Sequence, residues 1–389
     1  MIINGNFKKQ IKLFEVFAGI GSQYQALKNI AKDNNWEIKS VGIIEWFLSA
    51  IIAYQAIHYP NKNISFQTLQ IDQPALSLDS KRLVSENYLK KLHQPSLLNY
   101  WINQSKKVAN NYFDIKSTHG KDLPDEIDIF TYSFPCQDIS HQGKQSGFDK
   151  GSNTRSGLLW EIERLFNEMI EANKELPKYL LLENVKAIVN KKNQRVFQSW
   201  LKQLERFGYL SHSYVLNASN FGSAQNRERV FVISVLKDHK AETGFEFPKL
   251  DQIQTNKTVL KNILDDEQNF DLQFNKYPIL AKPITPNNIK KYYLENYTNF
   301  QSEAYVYDVN YSGPTLTASG AMSRIKLYFG PNQIRMMNPQ ECFAYMGFRK
   351  KDFQKVLKTN LIAPSKLIYL AGNSIPVEIL EAIFRSLKF

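Results

Sequence analysis

Cysteine occurs only twice in the 389 residues, at Cys136 and Cys342, so no disulfide framework supports this fold. Histidine is scarce too, with 6 in the chain, and no His/Cys cluster has metal-ligand spacing. No apolar run approaches the roughly 20 residues that cross a bilayer. The first residues, Met1-Ile-Ile-Asn-Gly-Asn-Phe-Lys-Lys, lack the apolar core and cleavage site of a secretory leader. The expectation is a protein of a reducing cytoplasm with no membrane partner. Acidic residues are in deficit: 49 Lys and Arg face 37 Asp and Glu, a net charge of +12. That excess fits a polyanionic partner, nucleic acid first; a Lys-, Asn- and Ile-rich composition from A·T-rich coding is the competing source. Hydrophobic residues make up 43% and aromatics 13%, enough for a large core and against global disorder. The length implies two domains, or one with an insert.

The stretch that draws attention is Thr131-Tyr-Ser-Phe-Pro-Cys-Gln-Asp-Ile-Ser140, continuing to Phe148. Ile127 to Tyr132 reads as a strand, Pro135 ends it, and Cys136 follows where the strand opens into a polar loop. In open α/β sheets ligands bind outside the carboxyl ends of strands. A thiol there is a candidate nucleophile; the competing reading is a small buried hydrophobe. Upstream, Ile11-Lys-Leu-Phe-Glu-Val-Phe17 is a strand, Ala18-Gly-Ile-Gly-Ser22 a tight turn, and Gln23 to Ala31 a helix. Gly19 and Gly21 let the backbone approach a ligand closely at the helix N-terminus. A second strand, Glu37 to Ile44, ends in Glu45-Trp46. Glu45 stands 24 residues after Gly21 (45 minus 21), a spacing that suits a ribose diol. Trp46 lies against an adenine or closes the pocket; an ordinary packed indole is the alternative.

Residues 47–60 read as a helix, and residues 61–110 as irregular structure with one or two helices. Phe113-Asp114-Ile115 reads as a short strand end, with Asp114 either accepting an adenine amino group or capping a solvated turn. Gly157 to Phe166 is an amphipathic helix. Tyr179-Leu-Leu-Leu182 suits a strand buried on both faces and ends in Glu183-Asn184-Val185. After a helix from Gln194 to Phe207 and a strand from Gly208 to Leu216 comes Gln225-Asn-Arg-Glu-Arg229. On extended backbone Gln225, Arg227 and Arg229 project from one face. Beyond Lys237 the chain turns loop-like and reads as a smaller domain. Thr315 to Lys326 is a hydroxyl-rich loop entering a strand. Ile334 to Gly347 is a strand and then a helix, with Asn338 as cap and Pro339 at its first position; Cys342 inside it is structural. A helix from Pro376 returns to the first domain.

Taken together, these motifs resemble the cytosine-C5 DNA methyltransferases. Phe17-Ala-Gly-Ile-Gly21, Pro135-Cys-Gln137, Glu183-Asn-Val185, Gln225-Asn-Arg-Glu-Arg229, Arg335 onward and Gly372-Asn-Ser374 follow the family's order. They cover most of the chain outside 61–110 and 238–310. Ser22 and Lys186-Ala187 depart from the family pattern without removing a reacting group.

The resemblance implies a methyl transfer from S-adenosylmethionine to C5 of a flipped-out cytosine. Cys136 adds to C6. Glu183 serves N3 in a protonated or proton-sharing state, Arg227 the base O2, and Arg229 the active-site geometry. No metal is required. The cofactor falls to Phe17, Gly19, Gly21, Glu45, Trp46 and Asp114, with Ile115, Pro135, Asn373 and Ser374 beside them. Gln137, Ser140, Gln142 and Lys144 lie in a loop that closes over the target. Gln142 fills the vacated space in the duplex, or is a mobile polar residue. Phe300 wedges between bases, or packs in a core. Gln225, Thr315, Thr317, Ser323 and Arg324 complete the expected DNA contacts.

The fold implied is α/β: a Rossmann-like, S-adenosylmethionine-dependent methyltransferase sheet domain plus a smaller, mostly irregular target-recognition domain. The expected boundaries are 1–237 (completed by 367–389), 238–349, and a hinge at 350–366, with a basic cleft for DNA. The run Gly313-Pro-Thr-Leu-Thr-Ala-Ser-Gly320 is similar to that of prokaryotic CpG-specific members, so CpG is the expected target. A cytoplasmic monomer is expected, with a restriction endonuclease as its counterpart. Two other readings compete: a cytosine-C5 methyltransferase of RNA, and a catalytically silent DNA-binding homologue.

Overall fold

The computed structural model describes residues 9–60, 75–85, 88, 91, 94–135, 139, 149–151, 154–266 and 269–389. Cys136, Gln137, Ser140, Gln142 and Lys144 lie outside the described residues. The chain divides into two compact units. The first comprises Met1–Val215, Arg229–Asp251 and Ile383–Phe389; the second comprises Leu216–Glu228 and Gln252–Ala382.

In the first unit β1 (Lys9–Val16), α1 (Ser22–Ile30), β2 (Trp36–Ile44), α2 (Leu48–His58), α3 (Pro95–Val108) and β3 (Ile129–Tyr132) follow in order. Then come α4 (Leu159–Glu171), β4 (Tyr179–Val185), α5 (Gln194–Arg206), β5 (Tyr209–Asn217), β6 (Glu228–Leu236) and α6 (Lys237–Thr243). The sheet order is β2-β1-β3-β4-β6-β5. β1, β2, β3 and β4 run parallel, and β6 runs antiparallel to β4. From β1 the chain builds outward to β2 on one side and then returns to β3 on the other. The crevice between β1 and β3 is therefore the topological switch point, where such sheets bind ligands. The strands β3 and β4 are buried on both faces, which is why both read as unbroken apolar runs. Phe14 stacks on Phe130 at 5.4 Å. Trp200 donates its Nε1–H to the Tyr132 hydroxyl at 3.2 Å, so neither buried polar end is wasted.

The segment Phe113–Ile115 is not a strand. An isolated parallel bridge joins Ile43 to Asn111, and the chain then turns through Phe113 at φ 62°.

The second unit carries β7 (Ile279–Ala281), β8 (Lys291–Leu294), β9 (Tyr305–Asp308), β10 (Lys326–Gly330) and β11 (Gln333–Met336), in the order β11-β10-β9-β8-β7. Most of the unit is irregular, as its composition implies. Strands this short leave too few residues for alternation to show in sequence. One face of the sheet buries Phe274, Leu294, Val306 and Ile334. The helix α7 (Pro339–Ala344) opens with a capping box. Asn338 accepts from the Glu341 N–H, and the Glu341 carboxylate accepts from the Asn338 N–H. Glu341 also takes a two-pronged pair from buried Arg335 at 2.6 and 2.7 Å. Cys342 sits in this helix at 1% exposure, and burial pushes its thiol up to about 12.

The chain ends with α8 (Lys350–Leu357), α9 (Pro364–Asn373) and α10 (Val377–Arg385). The segment 350–366 thus holds α8 and the start of α9. Contrary to the sequence reading, one stretch among the described residues, Pro364–Arg385, is long and apolar enough to cross a membrane. It is two helices broken at Ser374–Pro376 and 67% buried inside the protein, as core helices are. In the first unit, the Lys388 carbonyl accepts from the Tyr179 hydroxyl at 2.6 Å. Phe389 lies edge-on to both Trp36 and Tyr179.

Candidate active site

The turn after β1 is built on left-handed backbone. Phe17, Gly19 and Gly21 have φ of 58°, 57° and 77°. Gly21 caps α1, and a Cβ there would stand 2.3 Å from His58 Nε2 and 2.6 Å from a Tyr54 ring carbon. Only glycine fits. Gly19 differs: a Cβ there would meet nothing within 4 Å. Its bare face is clear of the described residues, at the end of β1 beside the switch point, and offers a cradle for a ligand.

Glu45 faces this turn from the end of β2. One carboxylate oxygen accepts from the Gly19 N–H and the other from the Phe47 N–H, both at 2.8 Å. The sequence reading missed the residue that holds Glu45 in place. Asn111 is fully buried. Its side-chain oxygen accepts from the Glu45 and Phe113 N–H groups at 3.1 and 2.9 Å. Its amide donates to the Glu45 carbonyl and to Ser105 Oγ, both at 2.9 Å. One Asn in an Asn-rich chain gives no spacing signal. Through Asn111, the Glu45 tip and the Phe113-Asp114 turn become one rigid wall. Asp114 is half-buried and accepts from the Lys116 N–H at 3.1 Å. Trp46 is half-buried beside Glu45, and Ile115 is buried. The half-buried Pro135 accepts from Ser156 Oγ at 2.6 Å. A buried carboxylate with backbone partners, beside a glycine face open to solvent, fits the diol and sugar of an adenosyl group.

Burial raises the Glu45 carboxyl to about 7, against the backbone hydrogen bonds of Phe47 and Gly19. Burial likewise raises Glu15, on β1, to about 7, against hydrogen bonds from the Tyr54 hydroxyl and the Tyr24 N–H. A raised acid keeps its proton in the folded state after the unfolded chain has lost it. Its stabilisation is complete below about pH 4.5 and is lost as pH rises through about 7. The melting temperature of wild type, measured relative to Glu45→Gln or Glu15→Gln, therefore falls between pH 5 and 7.5. A pH-independent difference would show that neither group titrates in this window.

The second cluster sits at the end of β4. Val185 pairs with Arg229 and Glu183 with Phe231 across the antiparallel strands. Glu183 and Arg229 are diagonal neighbours on one face. Arg229 Nε lies 3.3 Å from the Glu183 carboxylate, and both side chains are mostly buried. β3 delivers the chain to Pro135 at the same edge of the sheet, and Cys136 follows it.

Gln225 and Arg227 do not go where the alternation of the motif suggests. Gln225 has no exposed surface, which removes it from the expected DNA contacts. Its amide donates to the Tyr345 carbonyl and accepts from the Leu316 N–H. Arg227, 4% exposed, donates to the carbonyls of Leu316 at 2.7 Å and Gly372 at 3.1 Å. Its guanidinium is spent on backbone rather than held for a base. The alternation fails because Gln225 to Arg227 precede β6 and pack inside the second unit. Thr315 donates to the Asn226 carbonyl at 2.6 Å, Thr317 to that of Ser319 and Ser323 to that of Gly320. Arg324 is exposed and pairs with Glu303. Phe300 is 72% exposed, which overturns the packed-core alternative. Asn373 and Ser374 also belong to the second unit and bond back to the Tyr369 and Leu370 carbonyls of α9.

Comparison with known proteins shows the family. The family model of C-5 cytosine-specific DNA methylases matches residues 75–388. The orphan methyltransferase M.SssI of Spiroplasma monobiae is 42% identical, covering 97% of each chain. The type II methyltransferase M2.ScrFI of Lactococcus lactis subsp. cremoris is 35% identical, over 97% of this chain and 99% of its own. Among solved structures, the S. pombe Dnmt2 methyltransferase shares the fold with a TM-score of 0.58 at 17% identity, over 97% of each chain. The chain belongs to the cytosine-C5 DNA methyltransferase family: it is a DNA (cytosine-5-)-methyltransferase whose methyl donor is S-adenosylmethionine.

Proposed function

We propose that this enzyme methylates the cytosine of CpG in duplex DNA, with Cys136 as nucleophile, Glu183 at N3 and Arg229 at O2. The observation that carries the chemistry is the Glu183–Arg229 pair at the carboxyl end of β4. Cytosine C5 is a poor nucleophile. When the Cys136 thiolate bonds to C6, the ring loses aromaticity and C5 becomes enamine-like. A proton shared by Glu183 with N3 draws electron density from C6 and lowers the barrier to that attack. Arg229 orients Glu183 and stabilises charge that develops on O2; Arg227, bound to backbone carbonyls, is reassigned from that role. Phe17, Gly19, Gly21, Glu45, Trp46 and Asp114 would hold S-adenosylmethionine, which supplies an electrophilic methyl group. Afterwards C5 gives up its proton to water, the C–H electron pair restores the C5–C6 double bond, and the C6–S bond breaks to release Cys136 as thiolate.

On the DNA side, the exposed ring of Phe300 is available to bases, and Gln137, Ser140, Gln142 and Lys144 are assigned to contacts with the DNA. CpG rests on the Gly313–Gly320 run, and a polyanionic substrate accords with the +12 charge. The first unit carries the chemistry and the second reads the target; residues 350–382 go with the second unit rather than forming a hinge and a return to the first. The enzyme acts as a cytoplasmic monomer.

A random-sequence duplex pool, methylated and read by bisulfite sequencing, tests the target. Protected cytosines should fall in CpG; protection in any other single context overturns that assignment. A 5-fluorocytosine duplex should trap a covalent adduct that peptide mass spectrometry maps to Cys136. An adduct elsewhere, or methyl transfer to tRNA in preference to duplex, overturns the mechanism.

A further inference from the structure

The residues reassigned above form a fastening inside the second unit. Its centre is the backbone of Leu316, which is fully buried. The Leu316 N–H donates to Gln225 Oε1 at 3.0 Å, and its carbonyl accepts from Arg227 Nη1 at 2.7 Å. Both polar groups of one residue are thus held by two side chains from a single tripeptide. Gln225 is anchored behind by its Nε2–H, which donates to the Tyr345 carbonyl at 3.2 Å. Arg227 is anchored by the Gly372 carbonyl at 3.1 Å. Asn226, between them, donates its N–H to the Gly313 carbonyl at 2.9 Å, and the Gly313 N–H returns to Ala224 at 2.8 Å. Thr315 closes the ring on the Asn226 carbonyl. The packing permits no slack. A Cβ on Gly313 would stand 2.2 Å from the Tyr345 hydroxyl, and one on Gly372 would stand 2.4 Å from the Thr317 backbone.

We infer that Gln225 and Arg227 are positioning residues for sequence selectivity. They fix the backbone of Leu316, and so the directions of Thr315 and Thr317, before DNA arrives. The inference rests on the reading that the Gly313–Gly320 run meets DNA. A preset loop discriminates because a wrong base pair cannot be met by a shift of the backbone. The chemistry demands these two side chains. A buried guanidinium reaches two carbonyls on separate segments with its fixed fork, which an ammonium cannot do. A Gln amide donates and accepts at once. Through Glu228 the same run of chain continues directly into β6 and Arg229.

The test compares Arg227→Lys, Gln225→Met and Thr317→Val with wild type on the random-sequence duplex pool. KM for DNA, kcat and S-adenosylmethionine affinity are read in parallel. For Arg227→Lys and Gln225→Met the preference for the cognate site over single-mismatch sites should fall by about tenfold or more. Cofactor affinity should stay within about twofold. Hydrogen exchange should quicken at the Leu316 amide in Gln225→Met. If Arg227→Lys folds poorly, Gln225→Met carries the same test from the other end of Leu316. Unchanged selectivity in Gln225→Met, with Thr317→Val altered, overturns the fastening. Unchanged selectivity and KM in Thr317→Val overturns the underlying reading of the loop.

Discussion

Glu183→Gln lowers kcat for methyl transfer by roughly 10²–10⁴-fold and leaves cofactor affinity nearly unchanged. Gln keeps the shape of the side chain and cannot share an acidic proton with cytosine N3. The position makes the effect specific. Glu183 lies within β4, a strand buried on both faces, and is paired with Phe231, so its backbone does not move with the substitution. Its carboxylate lies 3.3 Å from Arg229 Nε, on the same face of the neighbouring strand. Arg229→Lys should also be slow, because an ammonium cannot reproduce the planar contact. The double variant should be less impaired than the product of the two single effects, since both break one unit. Single-turnover rates on a short cognate duplex read this directly. A Glu183→Gln rate within about threefold of wild type would remove proton sharing at N3 from the mechanism.

Gly21→Ala should lower folding stability by about 2–4 kcal/mol, from overpacking together with left-handed strain. The new Cβ would meet His58 Nε2 at 2.3 Å, and that ring is not free to swing away. Nε2 bonds to the Ile20 carbonyl at 2.9 Å, and Nδ1 to the Lys28 ammonium at 2.7 Å. A carbonyl only accepts and an ammonium only donates. His58 is therefore the neutral tautomer with its proton on Nε2, and any retreat breaks two bonds. Gly19→Ala should behave differently. Its backbone is also left-handed, but the new methyl meets nothing within 4 Å among the described residues. It costs roughly 1 kcal/mol of strain and occupies the cradle, so S-adenosylmethionine affinity falls more than stability. Thermal melts with and without cofactor separate the two. Equal losses of stability would refute the distinction between a packed and an open glycine.

Much of this was legible in sequence where one motif answers to one local geometry. The glycine turn, Glu45 and the buried strand that carries Glu183 lie where their patterns place them, because a parallel strand and its tip are short-range features. Asn338 as helix cap, with Pro339 after it, was legible for the same reason. Other features depend on partners distant in the chain. Asn111 serves Glu45 from 66 positions away. Arg227 meets Leu316 and Gly372, 89 and 145 positions off. An alternating Gln-x-Arg-x-Arg motif states which side chains share a face of an extended strand. It does not state where the strand begins, and β6 begins at Glu228, so the alternation holds only from there. Phe300 shows the converse. Its aromatic character suggested a core, and only the fold reveals that it is 72% exposed.

The burial of Cys342 also determines how the folded enzyme meets an electrophile. A thiol with 1% exposure and a pKa near 12 offers almost no thiolate at neutral pH. The chain has two cysteines, so modification of the native protein by a thiol reagent reports on Cys136 alone. Maleimide or iodoacetamide titration then counts Cys136, the proposed nucleophile, and a fluorophore can be placed there without deleting the second cysteine.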